Sequence, residues 1–388
     1  MSSELGLFGG KPTRSKWLPY SRQWISEEDC QAVVRSLKSD WITRGPEVRA
    51  FEEEVAGFVG FPYGVAFSSA TAGLHAVMAC LGMKPGDEVS LPPLSFVATA
   101  NAALYSGAKL NFIDVREDTL NIDEQKLADS RSPFKLSVDF AGNPVDLRNF
   151  NHGSTAHHIS DAAHSLSARL SGKPAAQFSE IAVYSFHPVK TCTTGEGGCV
   201  VLRDEALAEE LRRFRNHGIA GEEQPGFSPQ RSLGFNYHLT EMQAALGRSQ
   251  LKKLETWRKA RTDLAKEYEK LLGGLDYVRL PKLTETAESS WHLFPIRLPV
   301  ELWGADKAQI VAAFRAENIG VQVHYLPIYL QPYYQALGFK PGLCPMAEKA
   351  HQELLSIPLH PQMEKADLRD VVAAIEKISQ WAQKRESN

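Results

Sequence analysis

The sequence predicts an α/β protein built on a mostly parallel sheet. Between about residues 60 and 205, short apolar runs alternate with helix-like stretches, and this alternation is typical of a sheet that is covered by helices on both faces. The predicted strands are residues 64–67, 88–91, 110–113, 136–139, 158–160, 181–184 and 199–202. Helices are predicted among them at residues 71–81 and 96–105.

Two further helices are predicted before this region. They cover residues 26–37, where Ser26 is a suitable N-cap, and residues 47–59. Each has apolar residues that recur on one helical face. These are Cys30, Val33, Val34 and Leu37 in the first helix, and Val48, Phe51, Val55 and Phe58 in the second.

The C-terminal third predicts a second, smaller unit. Thr240-Glu241-Met242-Gln243 resembles a capping box and predicts the start of a long helix that reaches Leu272. Beyond it, strands are predicted at residues 291–298 and 321–325, and helices at residues 307–316 and 365–382. We therefore expect a large α/β domain over residues 1–254 and a small α+β domain over residues 255–388.

The composition narrows the class of protein. The 388 residues are 43% hydrophobic and 23% charged, which is ordinary for a soluble globular protein. The net charge of −3 gives no basis for a nucleic-acid or anionic-membrane partner. No apolar run is long enough to cross a bilayer, and the first residues lack the pattern of a signal peptide. Five cysteines without a CxxC pair favour reduced thiols, so we expect a cytoplasmic protein.

Lys190 is the first candidate for chemistry. It lies between two apolar runs, residues 181–184 and 199–202, that are predicted to be buried strands. A poorly solvated lysine has a lowered pKa, because burial disfavours the charged amine. The neutral amine is a nucleophile toward carbonyl compounds and toward pyridoxal phosphate. The alternative is an ordinary surface lysine among small residues.

Pyridoxal phosphate needs an acid at its pyridine nitrogen and an anion site for its phosphate, besides a lysine. Asp161 follows a predicted strand and is the candidate acid, while its alternative role is the N-cap of a following helix. The start of the predicted helix at residues 68–75 suits a phosphate dianion, and Ser185 is a second hydroxyl donor. The alternatives are an ordinary capped helix and a strand-end serine.

The cofactor ring also needs a flat neighbour. Phe96 is the candidate for one face of the ring and His164 for the other, and the alternative for both is an ordinary core or capping role. His157 and His158 are neighbours in a predicted strand and point to opposite faces, so no metal site is predicted there. Residues 195–198 are predicted to form a tight turn, because a strand and not a helix follows them.

These segments together resemble the DegT/DnrJ/EryC1/StrS family, the pyridoxal-phosphate-dependent nucleotide-sugar aminotransferases. The resemblance covers nearly the whole chain. Its landmarks are residues 40–46, 68–72, 95–101, 161–164, 185–190, 215–218, 234–237, 240–247 and 323–327.

The resemblance implies a fold-type I aminotransferase that works as a homodimer with its active sites at the subunit interface. Lys190 then matches the lysine that attaches the cofactor, and Asp161 matches the partner of the pyridine nitrogen. The other cofactor positions are matched by Thr71, Ala72 and Ser185 at the phosphate, by Phe96 against the ring, and by Asn236 from the other subunit.

Residues 138–142 and 191–198 look most like the pseudaminic-acid branch of the family. That branch aminates C4 of a UDP-4-keto-6-deoxy-N-acetyl-hexosamine, with L-glutamate as the amino donor. Ala70 and His238 depart from the family pattern, which usually has glycine and arginine there.

Several histidines and a tyrosine lie in family motifs and are candidates for contacts to the sugar nucleotide. They are His187, His217, His324 and Tyr325. Three alternatives stay open: a dTDP- or GDP-linked keto sugar as acceptor, another fold-type I enzyme, and a non-catalytic relative that binds cofactor or nucleotide.

Overall fold

The computed structural model describes residues 5–150 and 156–383, and its central element is a seven-stranded sheet. The strands order themselves as β1-β9-β8-β5-β4-β2-β3 in that sheet. All strands in chain order are β1 (Tyr63–Phe67), β2 (Glu88–Leu91), β3 (Lys109–Phe112), β4 (Phe134–Val138), β5 (His157–Asp161), β6 (Arg169–Leu170), β7 (Lys173–Pro174), β8 (Ile181–Ser185), β9 (Gly198–Leu202), β10 (Ala287–Glu288), β11 (Phe294–Arg297) and β12 (Leu354–Ile357). The short strands β10, β6 and β7 form a second sheet, and β11 pairs with β12.

The predicted mainly parallel sheet is confirmed. Strand β9 runs antiparallel to both of its neighbours, β1 and β8, while the other strands of this sheet share one direction. The register pairs Asp161 with Val138 and Val183, and it pairs Gly198 with both Phe67 and Ser185. The carboxyl ends of β1, β4, β5 and β8 therefore meet along one edge of the sheet.

Helices pack on both faces of this sheet and also make up much of the C-terminal part of the chain. In chain order they are α1 (Glu27–Leu37), α2 (Pro46–Val59), α3 (Ala70–Cys80), α4 (Ala98–Tyr105), α5 (Glu124–Asp129), α6 (Glu205–Arg215), α7 (Glu241–Leu251), α8 (Leu254–Leu272), α9 (Lys307–Ala316), α10 (Pro332–Ala336), α11 (Pro345–Glu353) and α12 (Lys365–Gln383). Most predicted elements agree with these bounds to within one or two residues.

The strands of the main sheet are continuous apolar runs because both of their faces are buried. In β8, Ile181 and Val183 join a hydrophobic cluster with α3 and α4, while Ala182 and Tyr184 join a cluster with α2 on the opposite face. Both faces of the strand are thus covered, as expected for a parallel sheet between two layers of helices. The sheet edge is the remaining open side, and polar residues collect there.

Two predicted elements are wrong in their extent. The long helix expected from Thr240 to Leu272 is interrupted between α7 and α8, where Gln250 and Lys253 turn their side chains to Asp29 of α1 at 2.7 and 2.6 Å. The strand expected at residues 321–325 is reduced to one bridge between Gln322 and Ser356. At the break between α7 and α8, the contacts to Asp29, which is distant in sequence, override the local pattern.

A third cluster of buried residues fills the C-terminal part of the chain. It joins α8, α9, α12 and the β11–β12 pair, and it includes Leu5 and Leu18 from the N-terminus. Ile328 and Tyr334 pack instead against the core of the main sheet. The division into domains 1–254 and 255–388 therefore stays a prediction.

The apolar face predicted on α1 points outward. Val34 and Leu37 are 45% and 54% exposed, whereas Asp29, Ala32 and Ser36 are buried against the rest of the protein. Within residues 5–150 and 156–383, Val34 and Leu37 on this face stay uncovered. The described part of the chain contains no helix that is long and apolar enough for a membrane span.

Candidate active site

A large cavity of about 1540 Å³ opens at the carboxyl edge of the main sheet. One side, here called the sheet wall, is lined by Ser69, Thr71, Phe96, Asp161, Ser185 and Lys190. The opposite side, here called the C-terminal wall, is lined by His292, Lys307, Gln322, His324, Tyr325 and His351. Ligands of open α/β sheets bind at this edge, so the fold itself marks the cavity as the candidate site.

Lys190 lies on the sheet wall in the turn that follows β8. Its backbone N–H donates to the carbonyl of His187 at 2.9 Å, which closes the turn. Burial lowers the pKa of the Lys190 amine to about 8, and the negative charge of Asp161 opposes this shift. With that pKa about a tenth of the amine is neutral at pH 7, far more than for an ordinary lysine. The amine is therefore prepared to act as a nucleophile or a base.

Asp161 is the last residue of β5 and is buried at the floor of the cavity. It accepts hydrogen bonds from Thr99 Oγ1 at 2.7 Å and from the Ala163 N–H at 3.2 Å. Burial raises its pKa, while these hydrogen bonds and the charge of Lys190 act in the other direction. A turn and then β6 follow Asp161, so the alternative role as a helix N-cap is wrong.

The start of α3 lies close to the end of β8, because Gly198 of β9 pairs both with Ser185 at the end of β8 and with Phe67, the last residue of β1 before α3. Ser69 is the N-cap, and its hydroxyl accepts from the Ala72 N–H at 3.1 Å. Gly198 permits the close approach, because a Cβ there would lie 2.5 Å from the Ser69–Ala70 backbone. Thr71 and Ser185 line the cavity, whereas Ala72 is buried in the first turn of α3.

Three buried histidines surround the lysine. His164 contacts His292 with a ring-centre distance of 4.4 Å, and the Tyr325 hydroxyl lies 3.4 Å from His164 Nε2. Burial lowers the pKa of His164, His292 and His324, and the nearby charge of Lys190 lowers each of them further. These imidazoles are therefore neutral at pH 7 and leave the positive charge to the lysine.

His292 was not found from the sequence, because it lies inside the segment predicted as a strand from residue 291. The strand begins only at Phe294, and Trp291 adopts a left-handed conformation with φ of 50°. The turn is tied to the sheet side by Ser290 N–H to Gly142 O at 3.1 Å and Leu293 N–H to Ala141 O at 3.2 Å. No local sequence signal announces a left-handed tryptophan.

The remaining predicted residues divide into two groups. Phe96, His187, His324 and Tyr325 line the cavity, with His187 Nε2 at 3.9 Å from Glu196 near the opening. His217 and Asn236 are exposed and lie outside the cavity of their own chain. Other lining residues that the sequence did not suggest are Tyr20, Lys307 and His351. Among the described residues no cluster of His, Cys, Asp or Glu is suited to a metal ion.

A family model matches residues 23–376 of the chain, and it describes the DegT/DnrJ/EryC1/StrS aminotransferase family. The chain belongs to this family. Its resemblance extends over the sheet, the cavity and nearly all of the C-terminal part.

Individual relatives support the same membership. The chain is 36% identical to the UDP-4-amino-4,6-dideoxy-N-acetyl-beta-L-altrosamine transaminase of Campylobacter jejuni serotype O:2, over 91% of this chain and 95% of the relative. It is 33% identical to the spore coat polysaccharide biosynthesis protein SpsC of Bacillus subtilis, over 95% and 99%.

Solved structures agree with the fold. Helicobacter pylori PseC, an aminotransferase of pseudoaminic acid biosynthesis, is 32% identical with a TM-score of 0.89, over 94% of this chain and all of that one. The PLP-form of a sugar aminotransferase from Streptococcus pneumoniae, Spr1654, is 26% identical with a TM-score of 0.86, over 94% and 99%.

The chain is thus an aminotransferase, and pyridoxal phosphate is its cofactor. The residues of the cavity fit this group. A lysine with a lowered pKa, a buried carboxylate and a hydroxyl-lined helix start are the three attachments that the cofactor requires. In addition, His164 lines the cavity, and its Nδ1 is buried without a hydrogen-bond partner in the described chain.

Proposed function

We propose that this aminotransferase moves the amino group of L-glutamate to the C4 keto group of a nucleotide-linked 4-keto-6-deoxy sugar. The acceptor that fits best is UDP-4-keto-6-deoxy-N-acetyl-hexosamine, because the Campylobacter jejuni relative is named for a UDP-linked 4-amino-4,6-dideoxy sugar. The observation that carries the chemistry is the Lys190 amine, with its pKa lowered to about 8, in a cavity that also contains Asp161.

Bound pyridoxal phosphate supplies an electron sink that stabilises negative charge on the carbon bearing the amino group. Lys190 holds the cofactor between turnovers. Once the donor displaces it, Lys190 Nζ removes the proton from the α-carbon of glutamate, and it returns a proton to C4 of the sugar in the second half of the cycle. Asp161 keeps the proton on the ring nitrogen, and its bonds from Thr99 and Ala163 hold it in place.

The other assigned residues orient the cofactor and exclude water. Thr71, Ala72 and Ser185 bind the phosphate of the cofactor at the start of α3. The free backbone N–H groups at the start of a helix favour an anion. Phe96 and His164 contact the two faces of the ring. On the C-terminal wall, His324 and Tyr325 face the sugar, and His187 lies near the opening.

The active unit is proposed to be a homodimer. Asn236 and His217 are exposed outside their own cavity, which supports a role at the cavity of a second copy. The exposed apolar residues Val34, Leu37, Trp41 and Ile42 provide a surface for that contact. The five cysteines are free, which supports a reducing compartment such as the cytoplasm.

The test is a panel of UDP-, dTDP- and GDP-linked 4-keto-6-deoxy sugars, assayed with L-glutamate in separate half-reactions. Rapid consumption of the amino form of the enzyme by the UDP-linked N-acetyl sugar supports the proposal. Consumption by a simple keto acid and not by any sugar nucleotide would indicate another fold-type I enzyme. Purified protein that never acquires the visible absorbance of bound cofactor would indicate a non-catalytic relative.

A further inference from the structure

Lys307 is the second amine of the cavity and has no role in the chemistry above. It is the first residue of α9 and lies on the C-terminal wall next to Gln322 and His351. Its Nζ is covered from solvent, and no hydrogen-bond partner reaches it in the part of the chain that the structure describes. A buried ammonium without a partner is costly, so its presence requires a reason.

Helix stability does not supply that reason. A cation in the first turn of a helix is disfavoured by the helix dipole. Burial lowers the pKa of Lys307 to about 8, and the charge of Glu353 opposes this shift. Glu353 is already paired with Arg297 Nε at 2.6 Å, so it is not a free counter-ion for the lysine. The amine is therefore available to an anion from outside the chain.

His351, the imidazole near Lys307, carries no positive charge of its own. His351 Nδ1 lies 3.0 Å from the carbonyl oxygen of Tyr325, which can only accept, so Nδ1 carries the proton and Nε2 does not. Burial lowers the pKa of His351 to about 4, and the charge of Lys307 contributes to this shift. The imidazole is neutral, so the charge at this end of the cavity is that of the lysine.

The charge balance of the cavity points the same way. Among the described lining residues the charged side chains are Asp161, Lys190, Glu196 and Lys307. Lys190 is committed to the cofactor and to proton transfer, so Lys307 is the remaining lining cation. The substrates of the proposed reaction carry two carboxylates on the donor and a diphosphate on the acceptor. An anion that is buried in this cavity loses its hydration, and without a nearby cation nothing would offset that free-energy cost.

We propose that Lys307 binds an oxyanion group of a substrate on the C-terminal wall of the cavity. The ligand is a carboxylate of the amino donor or the diphosphate of the nucleotide, and this inference rests on the proposed function. Rotation about the side-chain bonds of the lysine brings Nζ from its covered position into the cavity. Lys307 contributes to substrate affinity and takes no part in proton transfer.

The experiment compares three variants of the cofactor-loaded enzyme. Lys307→Met keeps an unbranched side chain that is one atom shorter and removes its charge, while Lys307→Arg keeps the charge. Lys365→Met is the matched control, because Lys365 is also the first residue of a helix in the C-terminal part, is exposed, and lies outside the cavity. Each half-reaction is measured separately, and the binding of glutarate and of UDP is measured by calorimetry.

Lys307→Met is expected to raise the half-saturating concentration of one substrate by roughly tenfold or more, the effect of losing a charged hydrogen bond, with little change in the maximal rate. Weakened glutamate and glutarate assign the site to the carboxylate, and weakened sugar nucleotide and UDP assign it to the diphosphate. Lys307→Arg should stay close to the parent enzyme, and Lys365→Met should match it.

The thermal unfolding temperature separates this role from a structural one. Removing a buried, unpartnered amine should leave the unfolding temperature of Lys307→Met unchanged or raise it. A Lys307→Met enzyme with parental affinity for both substrates and both probes overturns the inference. A parent enzyme that converts glutamate but no sugar nucleotide contradicts the proposed function, and the donor half-reaction then still tests Lys307.

Discussion

The two walls of the cavity are built in different ways. On the sheet wall, Asp161 and Ser185 are the last residues of strands, and Lys190 lies five residues beyond one. On the C-terminal wall, the lining side chains come from loops and helix ends that are brought together only by the fold. His292, for example, is held by a turn whose backbone bonds reach Ala141 and Gly142.

The walls also differ in charge. The sheet wall contains the charged pair of Lys190 and Asp161, whereas the C-terminal wall combines one amine, Lys307, with imidazoles that are neutral because burial lowers their pKa values. This division suggests that the sheet wall carries the reaction and that the C-terminal wall recognises and orients. Substitutions on the first should therefore lower maximal rates, and substitutions on the second should act on affinity, orientation and stability.

The largest effect is expected at Lys190. Lys190→Ala removes both the attachment for the cofactor and the group that moves the proton, so turnover should fall by roughly 10⁴-fold or more. The measurement is single-turnover conversion of glutamate, with the absorbance of bound cofactor as a second readout. Circular dichroism controls for folding. A Lys190→Ala protein with full activity would disprove the role of the sheet wall.

A smaller loss is expected at Asp161. Asp161→Asn removes the negative charge beside the ring nitrogen and should slow the glutamate half-reaction by roughly 10²–10³-fold, as for other buried electrostatic groups. The matched control is Asp139→Asn. Asp139 is also buried, with a pKa raised by burial to about 6, but it binds Ser165 and the Val145 N–H and does not line the cavity.

The Asp139→Asn control should lower thermal stability while the rate per folded molecule stays within a few-fold of the parent. Equal losses of rate in the two variants would mean that any buried carboxylate in this region matters, and that Asp161 has no special contact with the cofactor.

The same contrast explains what the sequence could and could not predict. Lys190, Asp161 and Ser185 could be predicted from the sequence because each lies at or just after the end of an apolar strand. Parallel strands bring their carboxyl ends to one edge of the sheet. The register of β9 completes this edge by placing Gly198 against the start of α3. Local pattern and tertiary position agree here, so the motif predicts the site.

On the C-terminal wall local pattern and tertiary position disagree. Residues 321–325 alternate like a strand, yet only Gln322 pairs, and the chain then turns His324 and Tyr325 into the cavity. His292 depends on the left-handed backbone of Trp291, and Lys307 reads as an ordinary helix start. No local motif indicates His292 or Lys307, whereas His324 and Tyr325 were suggested only by the family motif at residues 323–327.

A still smaller effect is expected at His292. Its ring packs on His164 at 4.4 Å, so His292→Phe keeps a ring and His292→Ala removes the support. If a reaction rate depends on the orientation of His164, the loss of this contact between rings should lower that rate by up to roughly tenfold. His292→Ala should slow both half-reactions by about that factor and shift the absorbance of the bound cofactor, and His292→Phe should restore much of the rate.

His157→Ala is the control for His292, because His157 lies at the amino end of β5 and pairs with Glu180 at 3.5 Å, away from the cavity. If His292→Ala leaves both the rates and the absorbance unchanged, the C-terminal wall does not orient His164.

The smallest predicted effect concerns stability in acid. Burial lowers the pKa of His324 to about 3, whereas the unfolded chain has a pKa near 6.5 for this group. Between these values the unfolded state binds the proton and the folded state does not, so stability falls as the pH drops below 6.5. Each pH unit costs about 1.4 kcal/mol for this one group.

His324→Asn removes that titration and keeps a partner for the Ser356 hydroxyl, which lies 2.9 Å from His324 Nδ1. Urea unfolding of the cofactor-free protein at a fixed concentration, from pH 6.5 to 4.5, should show a slope lower by about 1.4 kcal/mol per pH unit in the variant. Parallel slopes for His324→Asn and the parent would mean that the C-terminal wall admits a charged imidazole, and the contrast between the charged pair of the sheet wall and the neutral imidazoles of the C-terminal wall would then fail.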